Sequence, residues 1–206
     1  MGGRNRRYDL RRQRATKLPK RRFYILCEGK KTEPGYFSAL QKLLPRTIIA
    51  LQIEKAAGVP LTIAKTAVAR AKSIGIGKKK TRNSFEKGDQ VWAVFDRDEH
   101  PNYEEAIQLC AANNVGVARS NPCFEVWLIL HQAEYHRPDN RHEAQAHLKA
   151  IRPDYDGKTM DFDEILARLD IAEQRAIAQY NARLAEGEPP GPPHTTVWVL
   201  TRAIRS

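Results

Sequence analysis

Residues 90–98 read Gln-Val-Trp-Ala-Val-Phe-Asp-Arg-Asp, an apolar run that ends in two acids separated by one position. The apolar part has the length and composition of a strand that is buried on both faces. Asp96 and Asp98 should leave the end of this strand on the same side, because alternate residues of an extended chain point the same way. The segment therefore predicts a central strand of a parallel sheet, with acids at its carboxyl end.

A second segment of this kind lies near the start of the chain. Residues 22–28 are mostly apolar and end at Glu28, which Gly29 follows. Around these two strands, β-branched segments alternate with segments of helical spacing. Further strands are predicted at 47–53 and 115–119, and helices at 34–44, 60–74, 102–113 and 123–131. This alternation predicts an α/β fold with a Rossmann-like parallel sheet and helices on its faces.

The last third of the chain has a different pattern. Helical spacing covers residues 140–150 and 161–184, a Pro/Gly-rich break follows at 188–193, and 195–204 form a short amphipathic end. For the 206 residues we expect a basic, flexible arm at 1–21 and one α/β domain at 22–206. Within that domain, 135–206 form a mostly helical C-terminal extension.

Positive charge is concentrated at the start of the chain. The first 22 residues, which include Arg21 and Arg22, carry a net charge of +9 out of a total of +11. Such a block is expected to bind a polyanion such as a nucleic acid; the alternatives are a solubilising tail or an arm that docks on an acidic partner. A second basic run could also bind a nucleic-acid backbone or simply be solvated: Lys78, Lys79, Lys80 and Arg82.

Several functional classes are disfavoured by composition. No apolar run approaches the roughly 20 residues that a membrane span needs. The three cysteines are far apart and form no C-x-x-C pair, which argues against zinc ribbons and disulfide frameworks and favours a cytoplasmic location. Residues 75–78 lack the spacing of a P-loop, so no ATP site is expected.

Three acids are expected to meet at one edge of the sheet. Glu28 ends the first strand, and Asp96 and Asp98 end the third, so all three should face the crevice at the carboxyl ends of the strands. Each acid alone could be an ordinary solvated charge. Together their repulsion needs compensation, and a hard divalent cation such as Mg²⁺ provides it while leaving positions for phosphate oxygens.

Three segments in order resemble the RloB family: Ile-Leu-Cys-Glu-Gly-Lys-Lys-Thr-Glu-Pro-Gly-Tyr-Phe at 25–37, Val-Phe-Asp-Arg-Asp at 94–98, and Ser-Asn-Pro-Cys-Phe-Glu-Val-Trp-Leu-Ile-Leu-His at 120–131. The resemblance covers about residues 20 to 200. That family looks like a divergent branch of the Toprim superfamily, which includes nuclease domains of OLD proteins and catalytic domains of topoisomerases and primases. A C-terminal Pro-x-Thr-x-Val element is matched more loosely, because His194 is inserted in it.

The resemblance implies roles for particular acids. Glu28 matches the Toprim glutamate, a metal ligand or general base, and Asp96 and Asp98 match the metal-binding aspartates. Glu33 and Glu125 lie within the family motifs and are candidate ligands of one or two Mg²⁺ ions, for which Mn²⁺ could substitute. The alternatives are a helix N-terminal acid for Glu33 and a buried, hydrogen-bonded carboxylate for Glu125.

The implied function is a metal-dependent nuclease that cleaves RNA, with tRNA an attractive target, or DNA. Lys30 and Lys31 could contact the phosphate or belong to a solvated loop. The resemblance further implies an effector of a bacterial anti-phage or abortive-infection system, with a separate ATPase as partner; a homo-oligomer is also open. The alternative is a non-catalytic subunit that binds nucleic acid or docks on the ATPase. Strand transfer and primer synthesis are disfavoured, because neither a tyrosine domain nor nucleotide-binding elements can be found.

Overall fold

A computed structural model describes residues 21–45, 49–56, 58–76, 88–97, 102–187 and 189–206. Residues 1–20, the run Lys78–Lys80 with Arg82, and Asp98 lie outside the described residues, so the predictions made for them stay predictions. The strands are β1 (Arg21–Cys27), β2 (Ile49–Lys55), β3 (Gln90–Asp96), β4 (Gly116–Asn121) and β5 (His194–Thr195). The helices are α1 (Thr32–Leu43), α2 (Pro60–Ser73), α3 (Tyr103–Ala112), α4 (Glu125–Gln132), α5 (Arg141–Ile151), α6 (Phe162–Leu166), α7 (Leu169–Glu186) and α8 (Val197–Arg205).

These strands form one sheet in the order β2-β1-β3-β4-β5, in which the first four strands are parallel. The α/β prediction with a parallel sheet and flanking helices is confirmed. Because β1 and β3 are neighbours in this order, their carboxyl ends lie side by side. The topology therefore brings the ends of the two acid-bearing strands to one place.

The sheet separates two apolar cores, which explains the apolar runs in its strands. Phe23, Ile25 and Cys27 of β1 face one core, which α1 and α4 to α8 complete. Tyr24 and Leu26 face the other core, which is completed by α2 and α3. Burial on both faces leaves the central strands no polar positions before their ends, as parallel sheets require.

The C-terminal helices are joined by a buried acid. Glu173 of α7 is 3% exposed, and its carboxylate accepts a hydrogen bond of 2.7 Å from the Thr201 hydroxyl of α8. Arg202 and Arg205 of the same helix lie 3.1 and 2.8 Å from its Oε2 atom. One carboxylate of α7 therefore holds three side chains of α8.

The structure corrects the sequence prediction at the C-terminal end. The predicted helical stretch at 161–184 is two helices, α6 and α7, and the segment at 195–204 begins with β5, which pairs antiparallel with β4. The Ser120 hydroxyl lies 2.9 Å from the Thr195 hydroxyl, and the Thr196 amide donates to the Arg119 carbonyl at 2.8 Å. Two paired residues are too short a strand for a period-2 pattern to reveal. No helix among the described residues is long and apolar enough to cross a membrane.

Candidate functional site

A cavity of about 410 Å³ opens at the carboxyl edge of the sheet, where β1 and β3 end. Its walls come from the β1–α1 loop, the end of β3, the first turn of α4, helix α5 and the loop after α5. Charged side chains of both signs dominate the lining: Glu28, Lys30, Lys31, Glu33, Asp96, Glu125, Arg141 and Lys158. The sheet topology thus gathers residues that are up to 130 positions apart in the chain.

Glu28 lies at the junction of the two acid-bearing strands. Its amide donates a hydrogen bond of 3.0 Å to the Val94 carbonyl of β3. Its Oε2 atom accepts a hydrogen bond of 3.1 Å from the Asp96 amide. The two acids are therefore positioned relative to each other by the backbone of the strands that carry them.

Glu33 turns back from the first turn of α1 towards the β1–α1 loop. Its side chain is 4% exposed, and its Oε1 atom accepts a hydrogen bond of 3.0 Å from the Gly29 amide. The pKa of Glu33 is raised, first by burial and then by the nearby charge of Glu125. Hydrogen bonds from backbone amides and the charge of Arg141 oppose this shift.

Gly29 leaves the space that the Glu33 carboxylate occupies. A Cβ atom at this position would lie 1.9 Å from Glu33 Oε2, far inside contact distance. The glycine is therefore required by the close approach of a side chain.

Replacing Gly29 with alanine is therefore expected to displace the Glu33 carboxylate and leave the fold largely intact, because the obstructing atoms are at the end of a flexible side chain. The hydrogen bond from the Gly29 amide would be lost, and any activity of the pocket should fall about tenfold or more. Activity and melting temperature should be compared with Gly191→Ala, where a Cβ meets nothing within 4 Å. Equal activity of both variants would mean that the position of Glu33 is unimportant.

Glu125 begins helix α4 on the opposite wall and is 5% exposed. Its Oε1 atom accepts hydrogen bonds from the Tyr155 hydroxyl at 2.5 Å and from the Gln145 amide at 3.3 Å. Both of these partners bind Oε1, and they brace the carboxylate at the wall of the pocket. The two alternatives for Glu125, a site acid and a buried, hydrogen-bonded carboxylate, are both compatible with this position.

Asp96 ends β3 and is paired with an arginine of α5. It is 8% exposed, and its Oδ2 atom accepts a hydrogen bond of 3.0 Å from the Arg141 guanidinium. Burial raises its pKa well above the usual range, and the charges of Glu33, Glu125 and Glu28 raise it further. Arg141 offsets part of this effect. Four carboxylates therefore interact in one partly desolvated place.

Sequence reasoning missed several residues of the pocket. Arg141, Gln145, Tyr155 and Lys158 belong to the C-terminal part, which the sequence shows only as helical segments and loops. The one available signal was the capping box of Asn140 and Glu143, which places the start of α5 but does not reveal which way Arg141 points. Long-range packing, with α5 against α4, brings these residues to the site.

The predicted basic contacts divide into two groups. Lys30 and Lys31 line the pocket and are exposed to solvent. Arg21 and Arg22 lie at the amino end of β1, the end opposite the pocket. There the Arg21 guanidinium stacks over Phe23, and Arg22 pairs with Asp89 at 2.7 Å. The structure does not bring this second pair to the site.

The pocket's oxygen ligands suit a hard cation such as Mg²⁺, and their mutual repulsion is of the kind that such a cation relieves. Among the described residues, however, no group of three or more Asp, Glu, His or Cys side chains is placed so that it could hold a metal ion. Glu28 and Asp96 supply two of the predicted ligands, and the third, Asp98, lies outside the described residues. Metal binding therefore stays a prediction.

Comparison with known proteins identifies the family. No curated protein and no solved structure matches the chain. The family model described as RloB-like protein matches residues 23–204, which include every strand and helix of the domain apart from the ends of β1 and α8. The chain therefore belongs to the RloB-like protein family.

Proposed function

We propose that the protein is a metal-dependent nuclease with a Toprim-like site, which hydrolyses phosphodiester bonds in RNA, with tRNA an attractive target, or in DNA. The observation that carries the proposal is the pocket in which Glu28, Glu33, Asp96 and Glu125 meet at the carboxyl edge of a parallel sheet. Acids clustered in this way lower the stability of the fold because they repel one another. Such unfavourable arrangements are concentrated at functional sites.

Glu28, Asp96 and Asp98 are the residues that would hold Mg²⁺ or Mn²⁺. The bound cation would supply a Lewis acid that neutralises phosphate charge and lowers the pKa of water. Arg141 has a complementary role, because its guanidinium shares the Asp96 carboxylate and offsets the repulsion among the acids.

The cations of the pocket are suited to a phosphodiester. Lys30, Lys31 and Lys158 are exposed around the acids, where their ammonium groups could contact non-bridging phosphate oxygens and stabilise charge that develops there. A phosphate monoanion is thereby attracted to a pocket whose acids would otherwise repel it. This mixture of signs favours an anionic substrate bound next to a cation site.

Glu33 is the acid best placed to move a proton. Its carboxylate is held at the β1–α1 loop by the hydrogen bond from the Gly29 amide to Oε1. The raised pKa of Glu33 makes protonation accessible closer to neutral pH than for an ordinary glutamate. Glu33 can thus protonate a leaving oxygen, while Glu125 is held by Tyr155 and Gln145.

The biological setting that fits this proposal is a bacterial anti-phage system in which a separate ATPase controls the nuclease. The sequence at 75–78 lacks a P-loop, which is consistent with ATP hydrolysis by another chain.

Calorimetry with Mg²⁺ and Mn²⁺ tests the proposal without requiring an activated enzyme. We expect binding by the wild type and loss of binding in an Asp96→Ala/Asp98→Ala variant, because both predicted aspartate ligands are removed. An Asp163→Ala/Asp170→Ala variant is the matched control, since it removes two exposed carboxylates of equal charge elsewhere.

Two outcomes would contradict the metal site: equal binding by the wild type and the Asp96/Asp98 variant, or equal loss in the control variant. The non-catalytic docking subunit would then be the better description. Metal binding that depends on the site would justify screening tRNA, other RNA and DNA as substrates.

A further inference from the structure

A second, smaller cavity lies at the ends of β3 and β4. It has a volume of about 170 Å³ and lies between α3, the ends of β3 and β4, helix α7 and the Pro-rich segment before β5. Its polar lining is dominated by Arg97, Arg119, Tyr103 and His194, with Glu104 as the one acid among the described lining residues.

The two arginines lack acidic partners in the described part of the chain. No ion pair there involves Arg97 or Arg119, and Glu104 is paired with neither. The Arg97 guanidinium lies 5.5 Å from the centre of the Tyr103 ring. Arg119 is half-buried on β4, where it is opposite Phe95 in the strand register. Two guanidinium groups thus lie at one cavity: that of Arg119 is carried by β4, and that of Arg97 lies near the Tyr103 ring.

The Tyr103 hydroxyl provides an independent indication of a ligand. Tyr103 is 6% exposed, and its hydroxyl is buried without a hydrogen-bond partner among the described residues. A buried hydroxyl in this state costs about 1–3 kcal/mol, and native structures rarely leave one unsatisfied without a reason. An anion bound by the arginines would accept this hydrogen bond.

His194 adds no positive charge to the cavity, so the positive charge of its described lining comes from Arg97 and Arg119. Its Nδ1 atom donates a hydrogen bond of 2.9 Å to the Gly191 carbonyl, and the residue is 1% exposed. The pKa of His194 is lowered to about 4, first by burial and then by the charges of Arg119 and Arg97, so the ring is neutral at physiological pH.

The size of the cavity restricts the ligand. Small-molecule sites usually have volumes of about 300–1,000 Å³, so a cavity of about 170 Å³ suits a single phosphate group better than a whole nucleotide. Arginine's planar fork is the side chain best matched to phosphate oxygens.

The cavity and the candidate active site share one loop. Asp96 lines the larger pocket and the next residue, Arg97, lines the smaller one, so their Cα atoms are about 3.8 Å apart. The two cavities therefore lie at the same edge of the sheet, at the end of β3.

We propose that Arg97, Arg119 and the Tyr103 hydroxyl bind a backbone phosphate of the nucleic-acid substrate, next to the phosphodiester that is cleaved. The inference rests on the proposed nuclease function for the identity of the ligand, but not on metal binding or catalysis. Such a contact positions the strand and carries no base specificity.

Equilibrium binding of the full-length protein, in the presence of a chelator, tests the inference. The probes are a short labelled single-stranded RNA and the DNA of the same sequence, titrated at several salt concentrations. Arg97→Gln and Arg119→Gln should each weaken binding about tenfold, and Tyr103→Phe should weaken it by less. The double arginine variant should lower the slope of log Kd against log salt by about 0.7, the value for one phosphate on a single strand. Arg168→Gln, which removes an exposed arginine elsewhere, is the charge control.

The inference is overturned if the arginine variants bind like Arg168→Gln while melting at the wild-type temperature.

Calorimetry with inorganic phosphate distinguishes a second source of the ligand. Phosphate binding that is lost in the variants while RNA and DNA binding is unchanged would identify a free-anion site and overturn the nucleic-acid contact. Wild-type protein that binds neither nucleic acid would overturn the inference together with the nuclease. Reduced RNA or DNA binding in the variants, without any metal binding by the wild type, would uphold the phosphate contact and count against the nuclease alone.

Discussion

Asp96→Asn is expected to reduce the proposed nuclease activity by about 10³-fold while the protein remains folded. The substitution keeps an oxygen that can accept the hydrogen bond from Arg141, but it removes one of the negative charges on which the proposed cation site depends. Activity should be measured on the RNA and DNA substrates proposed above, with and without the proposed partner ATPase.

The same variant should be at least as stable as the wild type near neutral pH in the presence of a chelator. The folded-state pKa of Asp96 is raised, so the native state holds this proton more tightly than the unfolded chain. The resulting stabilisation is complete below the unfolded pKa, near 4, and is lost as the pH rises through the folded pKa. Ionisation of Asp96 above the unfolded pKa therefore opposes folding, and removing the ionisable group relieves repulsion from Glu33, Glu125 and Glu28.

Asp154→Asn is the matched control, for which the expected change in stability has the opposite sign. Hydrogen bonds from Arg152 lower the pKa of Asp154 to about 2, so its charged form favours the native state above the unfolded pKa. The effect should be small, because the Asp154 side chain is 40% exposed. Both expectations are checked by measuring the melting temperatures of the wild type and of the two variants from pH 4 to 8. Unfolding of Asp96→Asn would show that Asp96 is a structural residue, and full activity would show that its charge is not needed for the reaction.

Glu173→Ala is expected to destabilise the domain by about 3 kcal/mol, because it removes a buried carboxylate that accepts from Thr201 and pairs with Arg202 and Arg205. In a domain of this size the melting temperature should fall by about 6–12 °C. Helix α8 packs on α7 through this carboxylate, so the loss should affect α8 first, and hydrogen exchange would show it.

Asp170→Ala provides the matched control on the same helix. Its carboxylate lies 2.8 Å from Arg205, but its side chain is 78% exposed, so its loss should cost only about 0–1 kcal/mol. Equal destabilisation by the two substitutions would show that burial does not distinguish these acids.

The sequence predicted the parts of the fold whose signals are local. Continuous apolar runs identified β1 and β3, and helical spacing from Pro60 identified α2. The acids at the strand ends followed from a general rule of parallel sheets, and the structure places Glu28 and Asp96 together in one pocket.

The rest of the site depends on contacts that have no local signal. Arg141 reaches Asp96 across 45 positions, and Tyr155 reaches Glu125 across 30. The antiparallel strand β5 also cannot be predicted from the sequence, because it is two residues long and its partners are set by the position of β4. The smaller cavity with Arg97 and Arg119 belongs to the same class, since its walls come from separate parts of the chain.

The late pairing of β5 with β4 has a consequence for the timing of synthesis on the ribosome. Ser120 and Thr195 are separated by 75 positions, which take about 4 to 15 seconds to translate. During that interval the β4 edge next to the acid-bearing strand has no strand to cover it. The smaller cavity, whose wall contains His194, is therefore completed only after the C-terminal segment has emerged, whereas every lining residue of the larger pocket has been translated once Lys158 is added.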